Sequence, residues 1–229
     1  MKAASVAENA VMLTFGNRVD AQLTPHIMAL TQLIETELVP AVVDLTPSYT
    51  TLLVTYDVLC IDEASLVERI HRLHAQLTDG SLVTVPGRHI DIPVWYDPQV
   101  GLDLLSLANA RGLSVSEVIE RHTRPVYQVY ALGFAPGFGF LGEVDPALAT
   151  PRKATPRTQV PAGSVAIADR QTAVYPRCSP GGWQIVGRTA KKLFDHEAPD
   201  SMAATLQVGD RVRFMAITEA EFLAQGGVP

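Results

Sequence analysis

The sequence predicts an α+β protein built from two domains, and three observations support this class. The 229 residues suffice for two small domains. The first 85 or so residues alternate strand-like and helix-like patterns in the order β-α-β-β-α, whereas from Arg124 onward short β-rich runs are separated by Gly- and Pro-rich turns. Turn residues also cluster between about residues 85 and 100. We therefore divide the chain into domains at residues 1–87 and 88–229.

The strands of the N-terminal domain are predicted from β-rich runs. Residues 11–15 form one such run, and residues 42–46 and 51–56 form two more, at a spacing that suits an antiparallel hairpin. A further strand at residues 89–95 would complete the order β-α-β-β-α-β. This order is the split ferredoxin-like arrangement.

The two helices of this domain are predicted from apolar residues at helical spacing. The first begins at Thr24-Pro25, where the missing N–H of proline costs nothing, and the second follows Asp62 and closes at Asp79-Gly80. Their apolar faces carry Ile27, Leu30, Ile34 and Leu38 in the first helix and Leu66, Ile70, Leu73 and Leu77 in the second. Each helix therefore has one face suited to packing on a sheet.

The C-terminal domain opens with helices and continues with strands. Residues 102–111 are helical in pattern, and a capping box of Ser114 and Glu117 opens a short helix that runs to His122. The β-rich runs that follow are residues 126–132, 163–168, 171–175, 183–188 and 211–216. Short strands joined by Gly- and Pro-rich turns are typical of a small barrel or sandwich.

Composition and charge exclude several classes of protein. With 47% hydrophobic and 18% charged residues, the chain is ordinary globular protein and neither disordered nor fibrous. The formal net charge of −6 argues against a nucleic-acid partner, because binding a phosphate backbone needs an electropositive face. Two cysteines are too few for a disulfide framework. Since no signal-peptide run or membrane-spanning stretch occurs, we expect a cytoplasmic protein without a membrane partner.

Three segments combine rigid backbone with aromatic or cationic side chains: residues 133–142, 151–158 and 179–183. Glycine lets backbone N–H groups approach a ligand, proline fixes the loop, and an aromatic ring supplies a flat apolar wall. The corners of a β-barrel also need Gly and Pro, so a single segment would leave both interpretations open. Three such segments together indicate a small-molecule site.

The charge distribution supports the same interpretation. Between Arg152 and Lys192 there are eight cations and one anion, so this stretch carries +7 in an acidic protein. A local cationic surface favours an anionic ligand such as a carboxylate or a phosphate, for which arginine offers a two-pronged contact. A surface that docks an acidic partner is the alternative.

Catalytic constellations are weak in this sequence. His122 at the end of a capped helix is a candidate general base, although a helix-terminal histidine also suits a dipole or capping contact. His71 and His74 share a helix but have no third ligand near in sequence, so no metal site is predicted. There is no G-x-S-x-G and no P-loop motif. The residues alone therefore indicate a protein that binds a ligand, and they do not identify a catalytic nucleophile.

Seven motifs resemble one known family. They are Ile92-Pro93-Val94-x-Tyr96, Gly133-Phe134-x-Pro136-Gly137-Phe138, Pro151-Arg152-x-x-Thr155-Pro156-Arg157, Val160-Pro161-Ala162-Gly163-Ser164-Val165, Ser179-Pro180-Gly181-Gly182-Trp183-Gln184, Gly187-Arg188-Thr189 and Val208-Gly209-Asp210-x-Val212-x-Phe214. In this order they resemble the B subunit of bacterial 5-oxoprolinase, a family also known as allophanate hydrolase subunit 1 and as a sporulation-kinase inhibitor.

The resemblance implies both a fold and an activity. The fold would be an N-terminal ferredoxin-like domain followed by a C-terminal cyclophilin-like β-barrel. The chain would act with the C and A subunits of 5-oxoprolinase, and the complex would use ATP hydrolysis to cleave 5-oxo-L-proline to L-glutamate. Because a shared fold does not carry activity with it, prolyl isomerase activity is not expected.

The resemblance also implies roles for particular residues. The ligand-facing loop would consist of Phe134, Pro136, Gly137 and Phe138. The opposing wall would consist of Ser179, Gly181, Gly182 and Trp183. Arg157 would contact a carboxylate or phosphate, and His122 matches the histidine at the end of the capped helix of the family, so these two are the candidate catalytic residues. The chain has Gly139-Phe140 where the family usually has Pro-Tyr, which removes a hydroxyl from the site.

Two other functions stay open at this point. The chain could be a regulatory protein that binds and inhibits a histidine kinase through its C-terminal barrel, without turnover of a small molecule. It could also be a subunit of an allophanate- or urea-carboxylase-like system, which would require a biotin carboxylase partner. Nothing in this chain demands biotin.

Overall fold

A computed structural model describes residues 1–20, 22–78, 87–199 and 203–229. The chain divides into two compact units, residues 1–87 and 88–229. The predicted closure of the second helix at Asp79-Gly80 lies outside the described residues. No helix among the described residues is both long enough and apolar enough to cross a bilayer.

The first unit is a four-stranded antiparallel sheet with two helices. Its elements are β1 (Lys2–Ala7), β2 (Ala10–Thr14), α1 (Leu23–Glu37), β3 (Val42–Ser48), β4 (Thr51–Tyr56) and α2 (Glu63–Thr78), and the strand order is β1-β2-β4-β3. The predicted apolar faces of α1 and α2 meet in one core, in which Ile34 and Ile70 are fully buried. Strand β1 was not predicted, because most of its side chains are exposed and its sequence shows no alternation of apolar and polar residues.

The strand predicted to complete the N-terminal domain belongs to the second unit instead. This strand, β5 (His89–Trp95), pairs with two strands of that unit, in parallel with residues 211–217 and at Trp95 with Arg188. Ile92 and Val94 are fully buried in the core of the second unit. The prediction was wrong because an alternating pattern identifies a strand but does not say which sheet the strand joins.

The second unit is a closed seven-stranded barrel with helices around it. Its remaining elements are α3 (Leu104–Arg111), α4 (Val115–Thr123), β6 (Tyr127–Leu132), β7 (Gly139–Gly142), β8 (Arg157–Val160), β9 (Ser164–Ala168), β10 (Gln171–Val174), β11 (Ser179–Gly181), β12 (Gln184–Arg188), β13 (Arg211–Ile217) and α5 (Glu219–Ala224). The barrel order is β6-β13-β5-β12-β9-β10-β7, and β7 closes it by pairing with β6. Strands β8 and β11 form a separate two-stranded sheet.

Part of the barrel wall is buried on both faces. On β9, Val165 and Ile167 belong to the main core, whereas Ala166 and Ala168 belong to a second cluster with Phe138 and other aromatic residues. Successive strand residues point to opposite faces, so these two clusters lie on the two sides of the same wall. The small alanines leave room for large rings on the second side, which is where the candidate site forms.

The capping box predicted at the start of α4 is confirmed. The Ser114 hydroxyl accepts from the Glu117 N–H at 3.2 Å, and the Glu117 carboxylate accepts from the Ser114 N–H at 2.8 Å. Two N–H groups of the first helical turn are thereby satisfied. This turn positions the helix that carries His122 near its end.

Ser114→Ala should therefore destabilise the second unit by about 1 kcal/mol, the usual cost of losing an N-cap hydroxyl. Urea unfolding followed by tryptophan fluorescence measures this, because both tryptophans lie in that unit. Ser116→Ala removes a neighbouring exposed hydroxyl that lies 3.2 Å from the Ser114 hydroxyl but leaves both hydrogen bonds of the capping box in place, so the midpoint should fall much less. Equal effects of the two changes would contradict the capping role.

Candidate substrate-binding site

An aromatic cluster centred on Phe138 joins two of the predicted segments. The Phe138 ring is 2% exposed, and it meets four other rings nearly edge to face. The ring-centroid distances are 5.1 Å to Phe134, 4.9 Å to Phe140, 5.5 Å to Tyr175 and 5.8 Å to Trp183. Edge-to-face geometry at these distances is favourable for aromatic pairs. Segments 133–142 and 179–183 therefore form one wall.

The loop that carries Phe134 is tightly turned. Phe134 has φ 70°, a left-handed conformation that is uncommon for a bulky residue, and its ring is 61% exposed. Gly137 has φ 81°, and a Cβ there would lie 2.6 Å from the Leu193 carbonyl oxygen, so only glycine fits. Pro136 is exposed in the same turn. The turn thus presents an aromatic ring to solvent at the edge of the cluster.

The opposing segment is fitted closely to Tyr175. A Cβ on Gly181 would lie 2.2 Å from the Tyr175 hydroxyl oxygen, so glycine is required there. The backbone N–H of Trp183 hydrogen-bonds to the Tyr175 hydroxyl. Gly182 accepts at its carbonyl from the Lys153 N–H at 2.7 Å, which brings in the third segment. Ser179 pairs with Val160 in the β8–β11 sheet, and its hydroxyl is buried without a hydrogen-bond partner among the described residues.

All three segments predicted as loops therefore converge, and each contains a short strand that the sequence analysis missed. These strands, β7, β8 and β11, have three or four residues and are rich in Gly, Pro and polar side chains. Such composition is depleted in strands, so the β pattern does not show in the sequence.

Tyr175 is a site residue that sequence reasoning missed. Burial raises the pKa of its phenol, while the Trp183 N–H and the positive charges of Arg152 and Arg157 oppose that shift. The two arginines therefore lie close enough to act on the hydroxyl electrostatically. The only signal in the sequence is an aromatic residue directly before Pro176 at the end of a strand.

A buried carboxylate organises the cations of the site. Asp103, 2% exposed, accepts both terminal nitrogens of Arg157 at 2.8 Å, the Lys153 ammonium at 2.9 Å and the Ile185 N–H at 2.8 Å. Burial raises the pKa of Asp103, but the hydrogen bonds from Arg157, Ile185 and Lys153 outweigh this and hold the pKa below its usual value. The carboxylate is therefore ionised, and both of its oxygens accept hydrogen bonds.

This arrangement changes the predicted role of Arg157. The forked end of its guanidinium binds Asp103 and does not face an open ligand position, so the structure does not support it as the primary anion contact. Asp103 was not predicted, because a single acid between Leu102 and Leu104 resembles an ordinary helix-start residue. Its 54-residue separation from Arg157 hides the pair from local sequence patterns.

Arg152 is the cation left available at the cluster. Its guanidinium carbon lies 5.7 Å from the centre of the Trp183 ring, a cation–π contact, and its side chain is exposed. Within the part of the chain that the structure describes, no carboxylate pairs with it. Arg152 thus carries an unpaired charge at a position set by its contact with Trp183.

Three other cations of the predicted +7 stretch have partners of their own. Arg188 is 6% exposed and donates to the Val228 carbonyl, Arg170 pairs with Glu143, and the Lys191 ammonium donates to the Asp91 carbonyl. The expectation of a single cationic surface was therefore too broad. Sequence proximity does not group side chains when adjacent strands carry them to different faces.

His122 lies in the barrel core and away from the aromatic cluster. It is fully buried, stacks on Phe214 at 4.7 Å and hydrogen-bonds at both ring nitrogens. The Thr172 hydroxyl donates to the Ala166 carbonyl and so accepts from Nε2–H at 2.8 Å, which leaves Nδ1 to accept from Tyr96 at 2.7 Å. Burial lowers its pKa to about 3. The predicted role as a general base is not supported, because a neutral, enclosed imidazole is a core hydrogen-bonding residue.

No group of three or more His, Cys, Asp or Glu side chains among the described residues is placed to hold a metal ion. Among the described residues, the site consists of an aromatic wall, the unpaired guanidinium of Arg152 and a buried carboxylate that orients two further cations.

Comparisons with known proteins agree with this architecture. Residues 1–204 match the family described as "Carboxyltransferase domain, subdomain C and D". The chain is 38% identical to the 5-oxoprolinase B subunit of Bacillus subtilis, over 96% of this chain and 94% of that protein. It is also similar to the solved structure of TTHA0988, with 37% identity and a TM-score of 0.79 over 91% of this chain and 40% of that one.

A more distant solved structure shows the same fold. This is the urea carboxylase of Kluyveromyces lactis, with 17% identity and a TM-score of 0.73; the chain spans 22% of that structure. Fold and sequence together define a protein of the carboxyltransferase subdomain C and D type. Within that type, the chain belongs to the family of 5-oxoprolinase B subunits.

Asp103→Asn should destabilise the second unit by about 3 kcal/mol, because it leaves Arg157 and Lys153 without their buried counter-charge. Urea unfolding measures the loss. Asp91→Asn is the matched control, since the Asp91–Arg213 pair has the same two-pronged geometry but is about half exposed. A loss no larger than that of the control would contradict the organising role of Asp103.

The pKa of His122 predicts a specific pH dependence. The folded pKa of about 3 lies below the unfolded value of 6.5, so only the unfolded chain binds a proton as the pH falls below 6.5. At pH 5 this should cost about 2 kcal/mol of stability. His122→Gln should be less stable at pH 7.5 but should lose less between pH 7 and 5, as measured by urea unfolding. Parallel pH profiles of the two proteins would show that His122 is not neutral and enclosed.

Proposed function

We propose that this chain is the B subunit of an ATP-dependent 5-oxoprolinase, which acts with the C and A subunits to cleave 5-oxo-L-proline to L-glutamate. The observation that carries the proposal is the convergence of the three motif segments on one cluster of aromatic and cationic side chains. The relatives that match nearly the whole chain are named as B subunits of 5-oxoprolinase. A hydrolase complex is thus the reaction class that sequence and site both favour.

The cleft suits the chemistry of this substrate. A lactam is a planar amide, which could lie against the exposed Phe134 ring, while the exposed cation at Arg152 would bind its carboxylate. In the ATP-dependent reaction the amide oxygen would take the γ-phosphoryl group as ADP leaves. Water would then add to the activated carbon, the ring C–N bond would break and phosphate would leave, which gives L-glutamate.

A partner subunit is part of the proposal. The chain spans about 40% of the TTHA0988 chain, so a homologous unit occurs there within a longer polypeptide. The exposed Phe134 ring leaves one side of the cleft uncovered in this chain. We infer that the C subunit completes the site, that the isolated chain has little activity, and that the complex works in the cytoplasm.

The finer fold assignments belong to the same proposal. The four-stranded antiparallel sheet with two helices supports a ferredoxin-like domain at residues 1–87. The closed seven-stranded barrel supports a cyclophilin-like domain at residues 88–229. We also propose ligand-facing roles for the residues of two segments, because these segments converge. The residues are Phe134, Pro136, Gly137 and Phe138 in the first segment, and Ser179, Gly181, Gly182 and Trp183 in the opposing one.

The complex reconstituted from this chain and the C and A subunits of the same organism should release glutamate from 5-oxo-L-proline only with ATP. Omission of this chain should abolish release, and this chain alone should release none. Glutamate and ADP, measured together, report the coupling. Full activity without this chain, or no activity with all three subunits folded and associated, would overturn the proposal and favour kinase binding or a carboxylated substrate.

A further inference from the structure

We infer that Arg152 is the residue that contacts the carboxylate of the substrate, whereas the guanidinium of Arg157 is held by Asp103. This inference rests on the proposed function and names the specificity-determining group of the same cleft. The substrate class is a small carboxylate joined to a flat ring.

The other two cations of the segment are already committed. The terminal nitrogens of Arg157 both bind Asp103, and the Lys153 ammonium binds the same carboxylate. The Asp103 carboxylate is 3% exposed, so a ligand carboxylate would have to displace a buried ion pair to reach the forked end of Arg157. Displacement would leave Asp103 buried and unpaired, which is strongly unfavourable.

The backbone on both sides of Arg152 is fixed. The Pro151 carbonyl accepts from the side-chain amide of Gln184 at 2.9 Å. The Lys153 N–H donates to the Gly182 carbonyl at 2.7 Å. Arg152 is therefore clamped to the segment that carries Trp183, and its Cα needs no ordering when a ligand binds. A preorganised contact loses less conformational entropy on binding.

The side chain of Arg152 is placed but unpaired. Its guanidinium lies over the Trp183 ring, and it is exposed with no carboxylate partner in the described part of the chain. The Trp183 ring also packs on Phe138 at 5.8 Å, which places the Arg152 guanidinium at the same aromatic cluster. A cation–π contact does not use the guanidinium N–H groups as hydrogen-bond donors to a carboxylate, so they are available to a ligand. A planar ring attached to that carboxylate would then meet the aromatic wall.

The test uses the complex with the C and A subunits and compares three variants. Arg152→Gln removes the fork and the charge, and Arg152→Lys keeps the charge alone. Arg177→Gln makes the same charge change at an exposed arginine for which no contact is described. We expect Arg152→Gln to raise the KM for 5-oxo-L-proline roughly 10- to 100-fold, the loss typical of a charge-assisted hydrogen bond. The kcat and the KM for ATP should change little, and Arg152→Lys should be intermediate.

A KM for 5-oxo-L-proline that is unchanged in Arg152→Gln, or raised equally in Arg177→Gln, would overturn the inference. A fall in kcat at constant KM would also overturn it, because a merely structural role predicts loss of active complex. Unfolding midpoints and subunit association, measured on each variant, identify changes that act through stability.

A binding measurement separates this inference from the proposed function. The indole N–H signal of Trp183 in the complex is followed by NMR as 5-oxo-L-proline, or its uncharged amide, is added. The carboxylate should shift the signal in the wild type and in Arg177→Gln but not in Arg152→Gln, and the amide should not shift it. If the signal responds in this way but no glutamate is formed, the proposed function fails and the inference stands. If the wild-type signal does not respond to 5-oxo-L-proline, the inference fails even when glutamate is formed.

Discussion

The buried carboxylate of Asp103 is the interaction on which the site depends. It lies at the start of α3, bonds through backbone and side chain to Ile185 on β12, and holds Arg157 at the start of β8. Three elements far apart in sequence are thereby joined at one ionised group. An ionised carboxylate that is buried in a protein needs partners of this kind. The segment that carries Arg157 is therefore held where its guanidinium can pair with Asp103.

The aromatic wall depends in turn on the two-sided burial of the barrel. A barrel strand normally has an apolar inner face and a polar outer face. Here the outer face of β9 and β10 carries Ala166, Ala168 and Ala173, and Phe138, Tyr175 and Trp183 pack over it. Small residues beneath large rings place the rings close to the wall, and the required glycine at 181 lets the opposing segment close on Tyr175. The aromatic cluster is therefore packed directly on the wall of the barrel.

The sequence predicted the elements that are long and periodic, and it missed those set by tertiary contacts. Helices α1 and α2 and the capping box at Ser114 follow from local patterns. The sheet membership of β5, the short strands β7, β8 and β11, and the Asp103–Arg157 pair depend on residues that lie far apart in the chain. The site segments could be named because Gly, Pro and aromatic residues concentrate there, but their partners could not.

His122 and Arg152 show why residue type alone does not assign a role. Histidine is the usual first candidate for proton transfer, yet His122 has both nitrogens satisfied inside the core and is held neutral by burial. Arg152 shares its motif with Arg157, and the resemblance implied Arg157 alone as the anion contact. The two arginines differ in their relation to Asp103, because its carboxylate binds the guanidinium of Arg157 and leaves that of Arg152 unpaired. A charge can recognise a ligand only where the fold has not already neutralised it, and the described cations of this cleft meet that condition at Arg152.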